Sequence, residues 1–252
     1  LPPPFLPALM RPLFLDEGFP ATRRLKVCAG LALVASGTAL MVQYADCNYA
    51  LRAADGTSVP VGVLLGLAQL LCGLMQLLET LAIWGTVCDA SLSRGISPWR
   101  WVRRAVSLPL LVVCLLCLVG AKDRLILFVA ALACFLPQGY NLTVEVLGAD
   151  DATGSVTNMW AALCMASAGT IGVVSTVVAQ YMAGGREDNL TGAVVATFVV
   201  AELFLALVML LRTAAVSLLV DPNMAERVWS IATTLFLCCF SWAIAALLCD
   251  KA

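Results

Sequence analysis

Between Lys26 and Asp46, and again between Asp151 and Arg186, the chain carries no charged residue at all. The hydrocarbon layer of a bilayer is about 30 Å thick and a helix rises about 1.5 Å per residue, so roughly 20 such residues make one crossing. Windows of this kind recur along the sequence. They cover 27–45, 59–87 with Glu79 inside, 105–121, 125–144, 152–185, 192–211 with Glu202 inside, and 228–249. The third is short unless its helix begins near Pro98 and takes Arg103 and Arg104 into the membrane. None alternates polar with apolar residues, which excludes an outer-membrane barrel, because each spanning strand of a barrel needs a lumen-facing polar set. With 62% apolar and 12% charged residues and a mean hydropathy of +0.95, the expected fold is all-α, a polytopic membrane protein of seven transmembrane helices.

Seven crossings put the two ends of the chain on opposite sides. Alternate loops carry ten Lys and Arg residues on the N-terminal side against five on the other, counting Arg103 and Arg104 as loop residues. The excess predicts a cytosolic N-terminus. Residues 1–26 read as an interfacial segment, with a turn over 16–20 and with Arg23, Arg24 and Lys26 among lipid headgroups; residues 27–249 form the membrane domain.

Histidine is absent, which removes the commonest general base and metal ligand. No nucleophile elbow, phosphate-binding glycine loop or HExxH occurs either, so no enzyme is expected. Of eleven cysteines, eight fall inside apolar windows, where a thiol packs as a small hydrophobe. The pair Cys114 and Cys117 has zinc-like spacing but no second ligand pair, and no metal site is expected. Cys47 and Cys249 both emerge on the non-cytosolic side and are candidates for a disulfide.

Charges within membrane depth cost at least about 2.5–3.5 kcal/mol each when unpaired at the bilayer centre. By depth, Glu79 is expected to pair with Arg103 or Arg104, with Glu202 reaching the other or staying protonated. Glu145, close before Asp150 and Asp151, reads as a cap at the end of the fourth crossing. Pro109 and Pro137 are expected to bend the third and fourth helices. Small residues such as Gly30 and Ala32 in the first crossing, or Ala166, Gly169 and Gly172 in the fifth, allow close helix packing.

Several short patterns, in order, resemble heliorhodopsin, a rhodopsin family with a cytosolic N-terminus and a long extracellular segment between its first two helices. Arg23-Arg24-Leu25-Lys26 resembles the family's Arg-Arg-Phe-Asn at the mouth of helix 1, and Arg100-Trp101-Val102-Arg103 its Arg-Trp-Ile-Glu at the start of helix 3. Gly139, Glu145 and the interval from Thr233 to Trp242 also match. The resemblance implies a rhodopsin-like bundle. It places Leu237 where the retinal-binding lysine belongs and Arg103 where the carboxylate counterion belongs, with Leu33 and Gln76 at two pocket histidine positions. No lysine occurs anywhere in 228–249, so covalent retinal is excluded.

A bundle stripped of its chromophore elements is expected to serve as a non-catalytic accessory subunit of a larger membrane complex. Its partners would be lipids and other membrane subunits or copies of itself, and not nucleic acid. Two alternatives stand beside it: an ion or small-solute transporter or channel, motivated by the four intramembrane charges, and a sensor holding a non-covalent lipid, carotenoid or quinone in the space retinal would leave.

Overall fold

The structure, a computed structural model, describes residues 18–45, 50–52, 58–80, 97–121, 123–148, 155–184, 189–214 and 222–249. Among these, seven helices are long and apolar enough to cross a membrane. They are α1 (Gly18–Gln43), α2 (Val61–Leu78), α3 (Pro98–Leu118), α4 in two segments (Arg124–Ala133 and Phe135–Gly148), α5 (Ser155–Ala183), α6 (Asn189–Ala214) and α7 (Pro222–Cys249). Between α1 and α2 lies a small antiparallel hairpin, β1 (Ala50–Arg52) with β2 (Ser58–Pro60), pairing Leu51 with Val59. It is the one addition to an otherwise all-helical bundle among the described residues.

Most helices run past the hydropathy windows. α1 begins at Gly18 instead of after Lys26, so the turn expected over 16–20 gives way to helix from residue 18, with Pro20 in its first turn where a missing N–H costs nothing. α3 begins at Pro98 and carries Arg103 and Arg104 inside, and α7 takes in Glu226 and Arg227. A window ends at a charge because oil rejects it, but a helix continues wherever that charge finds a partner in the bundle. The break in α4 falls at Cys134, three residues before Pro137, whose ring nitrogen cannot bond the carbonyl of residue 133. Pro109, by contrast, sits inside an uninterrupted α3.

α3 is the hub, with 67% of its span buried against 22% for α6. It packs on α2, α4, α5 and α7, while α1 lies along α2 and α7, and α4 along α5. Away from the N-terminal face the interior is apolar: Leu40, Leu65, Leu111, Leu115, Leu118, Ile244 and Leu248 are buried together. Outward, α4 and α6 expose Leu125, Phe128, Val200 and Phe204, as a lipid-facing surface should.

α1 and α2 meet backbone to backbone at two places seven residues apart. A Cβ on Gly37 would stand 2.6 Å from the Gly66 carbonyl oxygen, and one on Gly73 would stand 2.7 Å from that of Gly30. Only glycine permits this approach. Gly172, on α5, has nothing within 4 Å. We therefore expect Gly37→Ala to lower thermal stability in detergent by about 1–3 kcal/mol, whereas Gly172→Ala is neutral or stabilising; equal effects at both sites would contradict this packing.

Candidate functional site

Helices that alternate in direction bring the start of α1, the end of α2, the start of α3, the end of α4 and the start of α7 to the same face of the bundle. Each contributes a charge there. Arg100, Arg103 and Arg104, at intervals of three and four, project to one side of α3. Lys26 comes from α1, Glu79 caps α2, Glu145 comes from α4 and Glu226 from the beginning of α7.

All six residues of the main group are buried: Lys26, Glu79, Arg100, Arg103, Glu145 and Glu226. Glu226, fully enclosed, is its centre. It lies 3.1 Å from Lys26 Nζ, 2.5 Å from Arg100 Nη2 and 3.6 Å from Arg103 Nη2. Glu79 stands 2.7 Å from Lys26 and 3.3 Å from Arg103 Nε. Glu145 stands 3.1 Å from Arg100 Nη1, and its other oxygen accepts the Ser97 backbone N–H at 2.8 Å. The sequence reading of Glu145 as a cap on its own helix is thus corrected: it turns inward and ties α4 to the start of α3. Arg100 is held on its faces as well, 5.0 Å from the ring centre of Trp229 and 6.0 Å from that of Trp101, two indoles that meet edge to face at 5.6 Å. Three cations balance three carboxylates.

A second pair lies beside the group, where Arg104 Nη2 donates to Glu202 Oε2 and joins α3 to α6. Of the four intramembrane charges singled out in the sequence, Glu79 and Arg103 enter the main group and Arg104 and Glu202 form this pair. Lys26, Arg100, Glu145 and Glu226 were not anticipated as members. Their signal was available: each lies within a turn or two of a window's end, and all these ends fall on one face once the helices alternate.

From the charged group a polar stripe descends α2, with Glu79, Gln76, Cys72 and Gln69 spaced three, four and three residues apart and all buried. Cys72 Sγ donates to the Arg103 carbonyl at 3.5 Å, and Gln69 Nε2 donates to the Leu237 carbonyl at 3.0 Å. Two of them, Cys72 and Gln76, line a cavity of about 50 Å³ together with Arg103, Ser107, Thr233 and Leu237. Leu237 and Arg103 therefore face the same interior space.

No group of three or more His, Cys, Asp or Glu residues able to hold a metal occurs among the described residues. Cys249 is disulfide-bonded, while eight other cysteines are free thiols. Cys47, its expected partner, lies outside the described residues.

No protein-family model matches the sequence, and no curated protein matches it. Solved structures do. Cyanorhodopsin from the cyanobacterium Tolypothrix sp. superposes with a TM-score of 0.64 at 13% identity, over 91% of this chain and 97% of that one. A light-driven proton pump from Leptosphaeria maculans gives 0.62 at 16% identity, over 92% and 94%. This chain has the microbial-rhodopsin fold. At such identities the likeness carries the fold and nothing finer; the chain is an integral, multi-pass membrane protein built on that bundle.

Removing one member of a buried ion pair strands its partner, at about 3–5 kcal/mol, whereas replacing both with apolar residues is close to neutral. Glu226→Leu, which deprives three cations, is expected to be the most damaging single change in the bundle. Arg104→Met with Glu202→Leu should be more stable than Glu202→Leu alone. Thermal unfolding of the purified variants decides this, and additive losses in the double variant would contradict direct pairing.

Proposed function

We propose that this chain moves or senses protons or small ions across a membrane without covalently bound retinal, using the buried charges toward the N-terminal face of its bundle. The observation that carries the reading is the assembly of eight ionisable side chains from six helices inside an apolar bundle. Such a network is a weak source of stability, because well-packed apolar side chains in its place would do as well or better. Ionisable groups at membrane depth more often mark a path for charge. The fold supports the same reading, since one neighbour is described as a light-driven proton pump.

Light cannot drive this chain in the usual way. A retinal Schiff base needs a lysine in the last helix, and α7 has none. The finer likeness, to heliorhodopsin with its retinal site lost, is supported by the position of Leu237 and Arg103 on one cavity, as lysine and counterion positions should be. It is supported too by the segment with a β-hairpin between α1 and α2. On this reading the N-terminal face is cytosolic and Cys249 pairs with Cys47.

The other readings draw less support. A pigment or quinone needs roughly 300 Å³ or more, and the cavity beside Leu237 has about 50 Å³. The accessory-subunit reading rests on the missing chromophore elements and gains nothing from a neighbour described as a light-driven proton pump. The four buried carboxylates Glu79, Glu145, Glu202 and Glu226 are each engaged with a cation, an arrangement that does not favour catalysis by them.

Purified protein in liposomes loaded with a pH-sensitive dye is expected to pass protons under an imposed voltage, and Glu202→Gln to change that flux by at least about tenfold. Dye traces identical to those of protein-free liposomes, under both voltage and pH gradients, would remove the proposal.

A further inference from the structure

The Arg104–Glu202 pair stands between two internal spaces. Arg104, Glu202 and Trp229 line both the cavity of about 50 Å³ already described and a second one of about 20 Å³ among α3, α4, α5 and α6. The second is a cleft. Its floor residues Trp101, Gln138 and Glu202 are buried, while Asn141, Ser167, Thr170 and Leu205 at its rim are half-buried.

Three polar atoms on that floor have no hydrogen-bond partner among the described residues: Trp101 Nε1, Gln138 Oε1 and Glu202 Oε1. A buried polar atom left bare forfeits the bonds it made to water in the unfolded chain, so each calls for a partner. One donor and two acceptors are the complement of a water molecule, which accepts from the indole N–H and gives its two hydrogens to Gln138 and Glu202. An alcohol has one hydrogen and would leave an acceptor bare. An anion could answer only the indole, and a cation only the two oxygens. The volume agrees, since a water needs about 10–15 Å³ of such space.

Across the pair, the inner cavity presents the opposite polarity. Gln76 Nε2 has no partner, and Arg103 Nη2 makes no hydrogen bond, its contact with Glu226 being 3.6 Å long. Two donors match the two lone pairs of a water. They would also suit an anion, but Lys26, Arg100, Arg103 and Arg104 already balance Glu79, Glu145, Glu202 and Glu226. A ninth charge would be uncompensated in an apolar surrounding. The inner cavity has space for about three waters.

We propose that ordered water occupies both spaces and that Glu202 joins them into one hydrogen-bonded path, leading from the charged group at the N-terminal face to the cleft among α4, α5 and α6. A proton travels such a path by breaking one O–H bond as the next forms, so no other reactant is consumed. The path runs sideways within one half of the bundle. Toward the opposite face the apolar layer of Leu111, Leu115, Ile244 and Leu248 follows, with Gln69 and Ser241 as buried polar side chains near it.

The path stands or falls on geometry, separately from any measured flux. The test is a density map of the full chain in a lipid nanodisc, at a resolution where ordered waters on the N-terminal face are visible. Expected are a water within about 3.2 Å of Trp101 Nε1, Gln138 Oε1 and Glu202 Oε1, and at least one more between Gln76 and Arg103. A second map, of Trp101→Phe with Gln138→Leu, should lose the first water and keep the inner one. Either space dry in the unaltered chain, or filled by a side chain, overturns the path.

Discussion

A charge buried in an apolar bundle must find its opposite, and much of this structure follows from that requirement. Glu226 satisfies three cations from α1 and α3 at once, and Glu79 and Glu145 complete their coordination from α2 and α4. The attraction is strong because water is excluded, and for the same reason no member can be removed alone. Close contact at glycines brings α1 onto α2, and at the N-terminal face the ends of five helices are tied to one another by charge. Toward the opposite face the core is built mainly of leucine and isoleucine.

The number of crossings was legible in the sequence because oil imposes it: a backbone amide with no water to bond must bond within its own helix. The pairing of Glu79 with Arg103 and of Glu202 with Arg104 was legible in part, because depth along each helix narrows the partners. The rest was hidden by the method of counting. A hydropathy window stops at Lys26, Arg100, Glu145 and Glu226, and so treats them as the edge of the membrane domain. In three dimensions these residues turn inward. Which carboxylate meets which cation depends on helix rotation and neighbour order, and neither is written in the spacing of one helix. The packing of α3 on α7 that brings Trp101 edge to face with Trp229 is of the same kind.

The microbial-rhodopsin fold hosts this arrangement without specifying it. The last helix of this chain contains no lysine, and the cavity beside Leu237 has only about 50 Å³. The chain's buried ionisable residues lie instead toward the N-terminal face, paired with one another. A fold best known around a pigment is here organised around ion pairs and the small polar spaces beside them.

The central claim is that Glu226 is an ionised carboxylate in contact with Arg100 and Lys26 inside the bundle. Solid-state NMR in lipid bilayers, with labelled glutamate carboxyl carbons and labelled arginine and lysine side-chain nitrogens, measures it directly. The account predicts dipolar couplings from an ionised Glu226 carboxylate to both nitrogen types at ion-pair distance, lost in Glu226→Gln while the remaining Glu signals persist. A protonated Glu226, or a carboxylate with no nitrogen at that distance, would contradict it.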